Sequence, residues 1–362
     1  MVDWLDHTGD PSRVHADGLV ARQVVEQARD QVATLFGARN REVCFTSGAT
    51  EAIAMSCWGA AERGTHQVVP AIEHSAVRLA AARHGDVTVV APDRSGRTDP
   101  EAVLGAIQPD TALVHLQWGN HEVGTLQPVA EVVAGCRERG VLVHVDAAQA
   151  AGRVPIDFRE LGADLLSVSG HKLGGPPGVG ALLIRRGVRL RPLLVGGDQE
   201  RARRAGYENV PALVGFGAAC AALAEPRRLE TEAGTQRRLS RRVIDALGRD
   251  DLGLAGLELY GHDQERLPHL VCLGVAGIEP QAVLLGLDRA GLSAHSGSAC
   301  SSEALEPSPV LEAMGVDAHH SLRVSTGWSS TDPDIDRLLE ALPGVLAELR
   351  ALRTGDDSGT RL

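Results

Sequence analysis

No two of the six cysteines (Cys44, Cys57, Cys136, Cys220, Cys272 and Cys300) form a C-x-x-C pair. Neither a zinc knuckle nor a disulfide framework is indicated, and reduced thiols in a cytosol are the simplest reading. Positive charge is also in deficit. The formal net charge of −11 repels phosphate-rich partners over most of the surface and argues against direct nucleic-acid or membrane binding. The first ten residues carry Asp3, Asp6 and Asp10 and lack the basic and apolar regions of a signal peptide. No stretch reaches the ~20 apolar residues that span a bilayer. Internal repeats and low-complexity tracts are missing too. These absences leave a cytoplasmic, acidic enzyme with no metal centre as the expectation.

What is present suffices for a large core. Hydrophobic residues make up 43% of 362, a length that suits two domains, or one large domain with a smaller one appended. Val24, Val25, Ala28, Val32 and Leu35 recur at helical spacing between Ala21 and Phe36, and the run stops at Gly37. A strand follows at Glu42–Thr46 and a helix starts at Thr50. Strands are predicted at Gln67–Pro70, Val87–Ala91, Ala112–Leu116 and Val141–Val145, with helices at Pro100–Ile107 and Val129–Arg139. This alternation predicts a mostly parallel sheet covered on both faces. Strands Leu165–Val168 and Gly180–Ile184 and a helix at Val210–Leu223 complete the first part, with a boundary near Glu225–Arg228. The remainder reads as a smaller α/β unit: helix Glu230–Leu247, strand Leu270–Val275, helix Gln281–Ala290, a loop around Cys300, strand Leu322–Ser325 and helix Asp334–Leu352. The polar tail Thr354–Leu362 is expected to fray.

Four stretches carry chemistry. In Ser167-Val-Ser-Gly-His-Lys172 a lysine stands at the carboxyl end of a parallel strand. It can form a Schiff base with an aldehyde cofactor, with Ser169 and His171 in reach of a phosphate; alternatively it is a solvated surface charge. Val141-Leu-Val-His-Val-Asp146 ends a buried strand in an acid that can pair with a protonated pyridine nitrogen, and Gln149 can donate to a ring oxygen. The other reading makes Asp146 a helix cap. In Phe45-Thr-Ser-Gly-Ala-Thr-Glu51 a strand turns into a helix whose free amides and Thr50 hydroxyl suit a phosphate, unless Thr50 simply caps that helix. Ser293-Ala-His-Ser-Gly-Ser-Ala-Cys-Ser-Ser302 sets one thiol outside any apolar run, where it can act as a nucleophile. Cys44, Cys57, Cys220 and Cys272 read as inert core residues.

The order Gly48-Ala-Thr-Glu51, Glu73-His-Ser75, Asp146-x-x-Gln149, Ser169-Gly-His-Lys172, Gly196-Gly-x-Gln-Glu200 and Ser296-Gly-Ser-Ala-Cys300, then Glu306-Pro-Ser308, resembles the cysteine desulfurases of the NifS/IscS type within the class V aminotransferases. The likeness spans nearly the whole chain. It implies an α/β fold of the pyridoxal-phosphate aminotransferase type I. A large cofactor domain would span 10–225, and a small C-terminal domain, 226–353 with 1–9, would carry the cysteine loop. The implied activity converts L-cysteine to L-alanine, with a persulfide on Cys300 passed to a sulfur acceptor, in a homodimer using pyridoxal 5′-phosphate. By the same likeness Lys172 holds the cofactor, Asp146 pairs with its ring nitrogen, Gln149 contacts its phenolic oxygen and His74 stacks on the ring and assists proton transfer. Ala49, Thr50, Ser169 and His171 would hold the phosphate, and Arg323 the substrate carboxylate.

Three places depart from the family pattern. Trp4-Leu-Asp-His-Thr8 runs almost directly into Gly9-Asp-Pro-Ser12, which implies a missing helix and a more open pocket, or one completed by another chain. Gly119-Asn-His-Glu122 keeps Asn120 on the cofactor side but sets His121 where the family's second Asn touches cofactor or substrate. Tyr207 replaces a threonine that reaches the partner subunit's phosphate. Two other readings share the fold: an aminotransferase or C–S lyase that makes no use of Cys300, and a cofactor-binding scaffold with weak turnover. Composition does not choose among iron–sulfur assembly, thionucleosides, DNA phosphorothioation and secondary metabolism as the sulfur's destination.

Overall fold

Apolar runs buried on both sides build the first sheet, as parallel strands require. The structure, a computed structural model, describes residues 1–7, 9–296 and 307–356; Cys300 and Glu306 lie outside the described residues. The chain divides into two compact units, the first comprising Met1–Val90, Thr98–Trp118 and Gln127–Glu230, the second Ala91–Arg97, Gly119–Leu126 and Thr231–Leu362.

The first unit holds strands β1 (Val43–Thr46), β2 (His66–Pro70), β3 (Asp86–Val90), β4 (Thr111–Gln117), β5 (Leu142–Asp146), β6 (Leu165–Ser169) and β7 (Gly180–Ile184). Their order is β1-β7-β6-β5-β4-β2-β3. Only β7 runs antiparallel to its neighbours, so the mostly parallel α/β architecture read from the sequence is the one observed. Helices α1 (Ala16–Leu35), α2 (Ala49–Ala60) and α3 (Ser75–His84) belong to this unit, and α2 packs across β5, β6 and β7. The sequence reading gave α3 no range, although the alternative it held for His74 was a helix-start histidine without a catalytic role.

A polar ladder crosses the middle of this sheet. His115 on β4 faces its register partner His144 on β5, with their Nδ1 atoms 3.0 Å apart, and His115 Nε2 lies 2.8 Å from Gln67 Oε1 on β2. With that oxygen accepting, His115 carries its proton on Nε2 and its bare Nδ1 accepts from His144. Burial lowers His115 to about 3 and holds His144 well below the imidazole range, so both rings are neutral near pH 7.

Residues 199–202 form a turn of unusual hand. Glu200, Arg201 and Ala202 have φ of 49°, 59° and 60°, a region that costs non-glycine residues free energy. A buried carboxylate holds the turn in place. Glu200 forms a two-pronged pair with Arg29, at 2.6 and 2.8 Å, and accepts the amide of Phe45 at 2.8 Å.

The second unit contains the antiparallel sheet β10-β9-β8, with β8 at Leu257–Tyr260, β9 at Leu270–Val275 and β10 at Ser321–Ser325. Val271, Leu273, Val275, Leu322 and Val324 pack against Leu239, Val283, Leu287, Ile335 and Leu346 of the helices Arg228–Ala246, Pro280–Arg289 and Asp332–Asp356. Strand β8 was not expected.

The partition departs from the boundaries expected from the sequence in two respects. Residues 1–9 group with the first unit, where the turn Val2–Trp4 contacts the helix Val210–Leu223 and Tyr207 Oη donates to the Gly9 carbonyl at 2.9 Å. Residues 91–97 and 119–126 group with the second, tied by hydrogen bonds such as Leu267 N to Gly124 O (2.8 Å) and Leu126 N to Glu265 O (3.0 Å). These contacts join segments remote in sequence, which a reading by contiguous stretches does not reach.

Candidate active site

The carboxyl ends of β5 and β6 gather the polar residues of the first unit, as the carboxyl edge of a parallel sheet commonly does. Asp146 closes β5 at 8% exposure. Its Oδ1 accepts Ser167 Oγ at 3.1 Å and the Ala148 amide at 3.0 Å. Ser167 is its register partner on β6, and Ser169, two residues on, shares that face by strand alternation. A single 3-10 turn, Gly170–Lys172, then sets Lys172 at the strand's exit. Ser169 Oγ lies 3.0 Å from His171 Nδ1. Partial burial, and next the neighbouring ammonium of Lys172, lower His171 from its ordinary value. Lys172 is the only lysine among 36 Lys and Arg residues, a signal the motif reading did not use.

The start of α2 reaches the same edge. Gly180 on β7 permits this, because a Cβ there would lie 2.5 Å from Val168 O and 2.7 Å from Gly48 Cα. Gly48 is the N-cap of α2, and no side chain caps the helix there. Thr50 therefore lies inside the first turn, exposed, so the reading of Thr50 as the cap does not hold. The first amides of Ala49 and Thr50 lack intrahelical acceptors by helix geometry. The carboxylate of Glu51 reaches back to the residue before the N-cap, taking the Ser47 amide at 2.8 Å, and pairs with Arg204 Nε at 2.7 Å. An amine, a buried carboxylate and an uncapped helix start on one sheet edge fit a group that combines an aldehyde, a basic ring nitrogen and a phosphate.

His74 is the N-cap of α3, and its Nδ1 accepts the Ala76 amide at 3.1 Å; its neutral form therefore carries the proton on Nε2. Gln149 is half-buried three residues beyond Asp146. Tyr207 is 64% exposed. Glu73 and Ser167 were passed over in the sequence. A glutamate within Ala71-Ile-Glu-His74 and a second serine on the face of Ser169 are the signals that could have found them.

Asn120, His121 and Arg323 belong to the second unit and form their own cluster. Asn120 is fully buried and holds a turn, its Oδ1 accepting the amides of Glu122 and Val123, each at 2.8 Å. Arg323 on β10 donates Nη1 to the His121 carbonyl at 3.0 Å. Its main chain bridges to His295, five residues before Cys300. Ser308 Oγ donates to Glu122. The remaining five cysteines are buried. Burial pushes the thiols of Cys44, Cys57, Cys136 and Cys272 up to about 12 and that of Cys220 up as well, which leaves them almost no thiolate.

The chain as a whole is similar to known proteins. A family profile described as Aminotransferase class-V matches residues 4–338. A cysteine desulfurase IscS 1 of Archaeoglobus fulgidus is 41% identical over 358 residues, covering 96% of this chain and 92% of that protein. A solved NifS-like protein is 31% identical, with a TM-score of 0.87 over 96% of this chain and 94% of the other. A structure titled SspA in complex with cysteine is 28% identical, with a TM-score of 0.75 over 89% of this chain and 92% of that one.

Proposed function

The chain belongs to the aminotransferase class-V family, and we propose that it works as a cysteine desulfurase. It converts L-cysteine to L-alanine and passes the sulfur, held as a persulfide on Cys300, to an acceptor. The observation that carries this reading is the strand-edge set of Asp146, Ser169 and the single lysine, in a chain 41% identical to a protein named for that activity. Pyridoxal 5′-phosphate, when bound, supplies an electron sink for bonds at the substrate's α-carbon.

The protein's own residues divide the remaining work. The first amides of α2, with Thr50, Ser169 and His171, bind the phosphate. Asp146, oriented by Ser167 Oγ and the Ala148 amide, keeps a proton on the ring nitrogen, and Gln149 donates to the phenolic oxygen. Lys172 Nζ would hold the cofactor through its aldehyde carbon and, when free, would take the α-proton. His74 stacks on the ring and offers Nε2 for proton transfer, since its Nδ1 is engaged with Ala76. By the family likeness alone, Asn120 and His121 would serve the cofactor oxygen and Arg323 the substrate carboxylate. The Cys300 thiolate attacks the substrate sulfur. An S–S bond forms as the Cβ–Sγ bond breaks, its electron pair passes to carbon, and protonation there releases alanine.

The working unit is a homodimer in which Tyr207 stands at the subunit contact, with a separate protein as sulfur acceptor. No helix among the described residues is long and apolar enough to cross a membrane. Anaerobic incubation with cysteine tests the reading. Alanine should accumulate while the peptide holding Cys300 gains one sulfur, and borohydride should attach the cofactor at Lys172. Alanine formation that survives unchanged in Cys300→Ser would replace this reading with a C–S lyase.

A further inference from the structure

Asp146 is not the only acid at this edge of the sheet. Glu73, the residue before His74, is 1% exposed. Its Oε1 accepts the amide of Gln117, the last residue of β4, at 2.5 Å. Gln117 Nε2 returns a bond to the Ile72 carbonyl at 2.7 Å, so residues 72–73 and the strand end clasp each other from both sides. Gln117 is the register partner of Asp146, and the next amide, Trp118 N, donates to the Asp146 carbonyl at 2.8 Å. Glu73 thus fixes the backbone against which Asp146 is held.

The two acids are unequally served. Asp146 Oδ1 receives both a hydroxyl and an amide donor, whereas Glu73 Oε2 is buried with no hydrogen-bond partner among the described residues. A buried carboxylate lacking an ion partner bears an uncompensated desolvation cost, and two acids sharing one buried site do not readily ionise together. The charge therefore settles on the acid with more donors.

We propose that Glu73 is a positioning residue for the cofactor's acid: a neutral carboxylic acid that clamps the Gln117–Trp118 backbone and leaves the negative charge of the site to Asp146. The inference rests on the reading of Asp146 as partner of the cofactor's ring nitrogen. The charged groups acting on Glu73 agree with it. Burial and then Asp146 on β5 hold its carboxyl well above the usual range, and Arg78 on α3 opposes them more weakly.

Glu73→Gln, which copies a neutral acid, provides the test. In the cofactor-free protein at pH 7, the infrared carboxylic-acid C=O band of the wild type should be missing from E73Q. A raised acid makes wild-type stability fall as pH climbs above the unfolded carboxylate range, so the thermal midpoint of E73Q relative to wild type should rise from pH 5 to pH 8. With cofactor bound, E73Q should keep kcat within about threefold of wild type and the same pH midpoint of the visible band, whereas E73A should weaken cofactor retention. An unchanged infrared spectrum, or E73Q destabilised equally at every pH, would overturn the proposal. If E73Q does not fold, carbon-13 carboxyl labelling of wild-type glutamates reads the same proton. Should Asp146→Asn leave the cofactor spectrum untouched while the infrared band is found, the role of Asp146 fails and the neutral state of Glu73 stands.

Discussion

The central strands of the two sheets are equally buried and differently furnished. In the second unit β9 is buried along its whole length and built from Leu270, Val271, Cys272, Leu273, Gly274 and Val275. In the first, β4 and β5 are as deeply buried yet carry His115, Gln117, His144 and Asp146. An apolar strand needs only complementary neighbours, and any well-packed replacement of similar volume serves. A polar interior demands a partner for each group. The first sheet meets most of that demand with the Gln67–His115–His144 ladder inside and with serines and backbone amides at its carboxyl edge, leaving His144 Nε2 and Glu73 Oε2 unpartnered among the described residues. Burial in one sheet serves packing, and in the other it also serves to set protonation states.

Breaking the chemical edge should have the largest effect. Lys172→Ala removes the only side-chain amine in the sequence; turnover should fall by at least ~10³-fold, with loss of the visible cofactor band and little change in the urea midpoint of the cofactor-free protein. The apolar sheet should answer in the opposite way. Leu273→Ala, at a fully buried site, should cost about 2–5 kcal/mol of stability, seen as a lowered urea midpoint, while activity per folded molecule is kept.

A third change sharpens the contrast through pH. The folded-state values of His115 and His144 lie below the unfolded one, so their contribution is complete above about pH 6.5 and is lost as pH falls toward the folded value. For His115 the loss amounts to about 1.4 kcal/mol per pH unit. His115→Gln should flatten the decline of the urea midpoint between pH 6.5 and 5, and an unchanged slope would show that the ladder titrates elsewhere.

What was legible in the sequence follows the same division. Parallel strands announce themselves as apolar runs, and a polar residue at or just past the end of a run stands out, so Asp146 and Lys172 were singled out as candidates together with their strands. Strand β8 escaped because four residues, two of them half-buried and one exposed, give too short an alternation. Helix α3 escaped because only Val77 and Ala81 are buried along it while Leu79 is 71% exposed, which blurs the helical stripe. The grouping of 119–126 with the second unit depends on pairings with residues about 140 positions away, such as Gly124 with Leu267. Glu73 needed the location of Gln117 before its burial had meaning.

The turn at Glu200 leads to an expectation opposite to intuition. Glycine is ordinarily a softener of folded chains, but at Ala202, whose φ is 60°, it would relieve crowding between Cβ and the backbone. Ala202→Gly should therefore raise the melting temperature slightly, by the equivalent of about 0.5–1 kcal/mol. Here slack in the chain would strengthen the fold, because the Arg29 pair already winds this stretch against its natural hand.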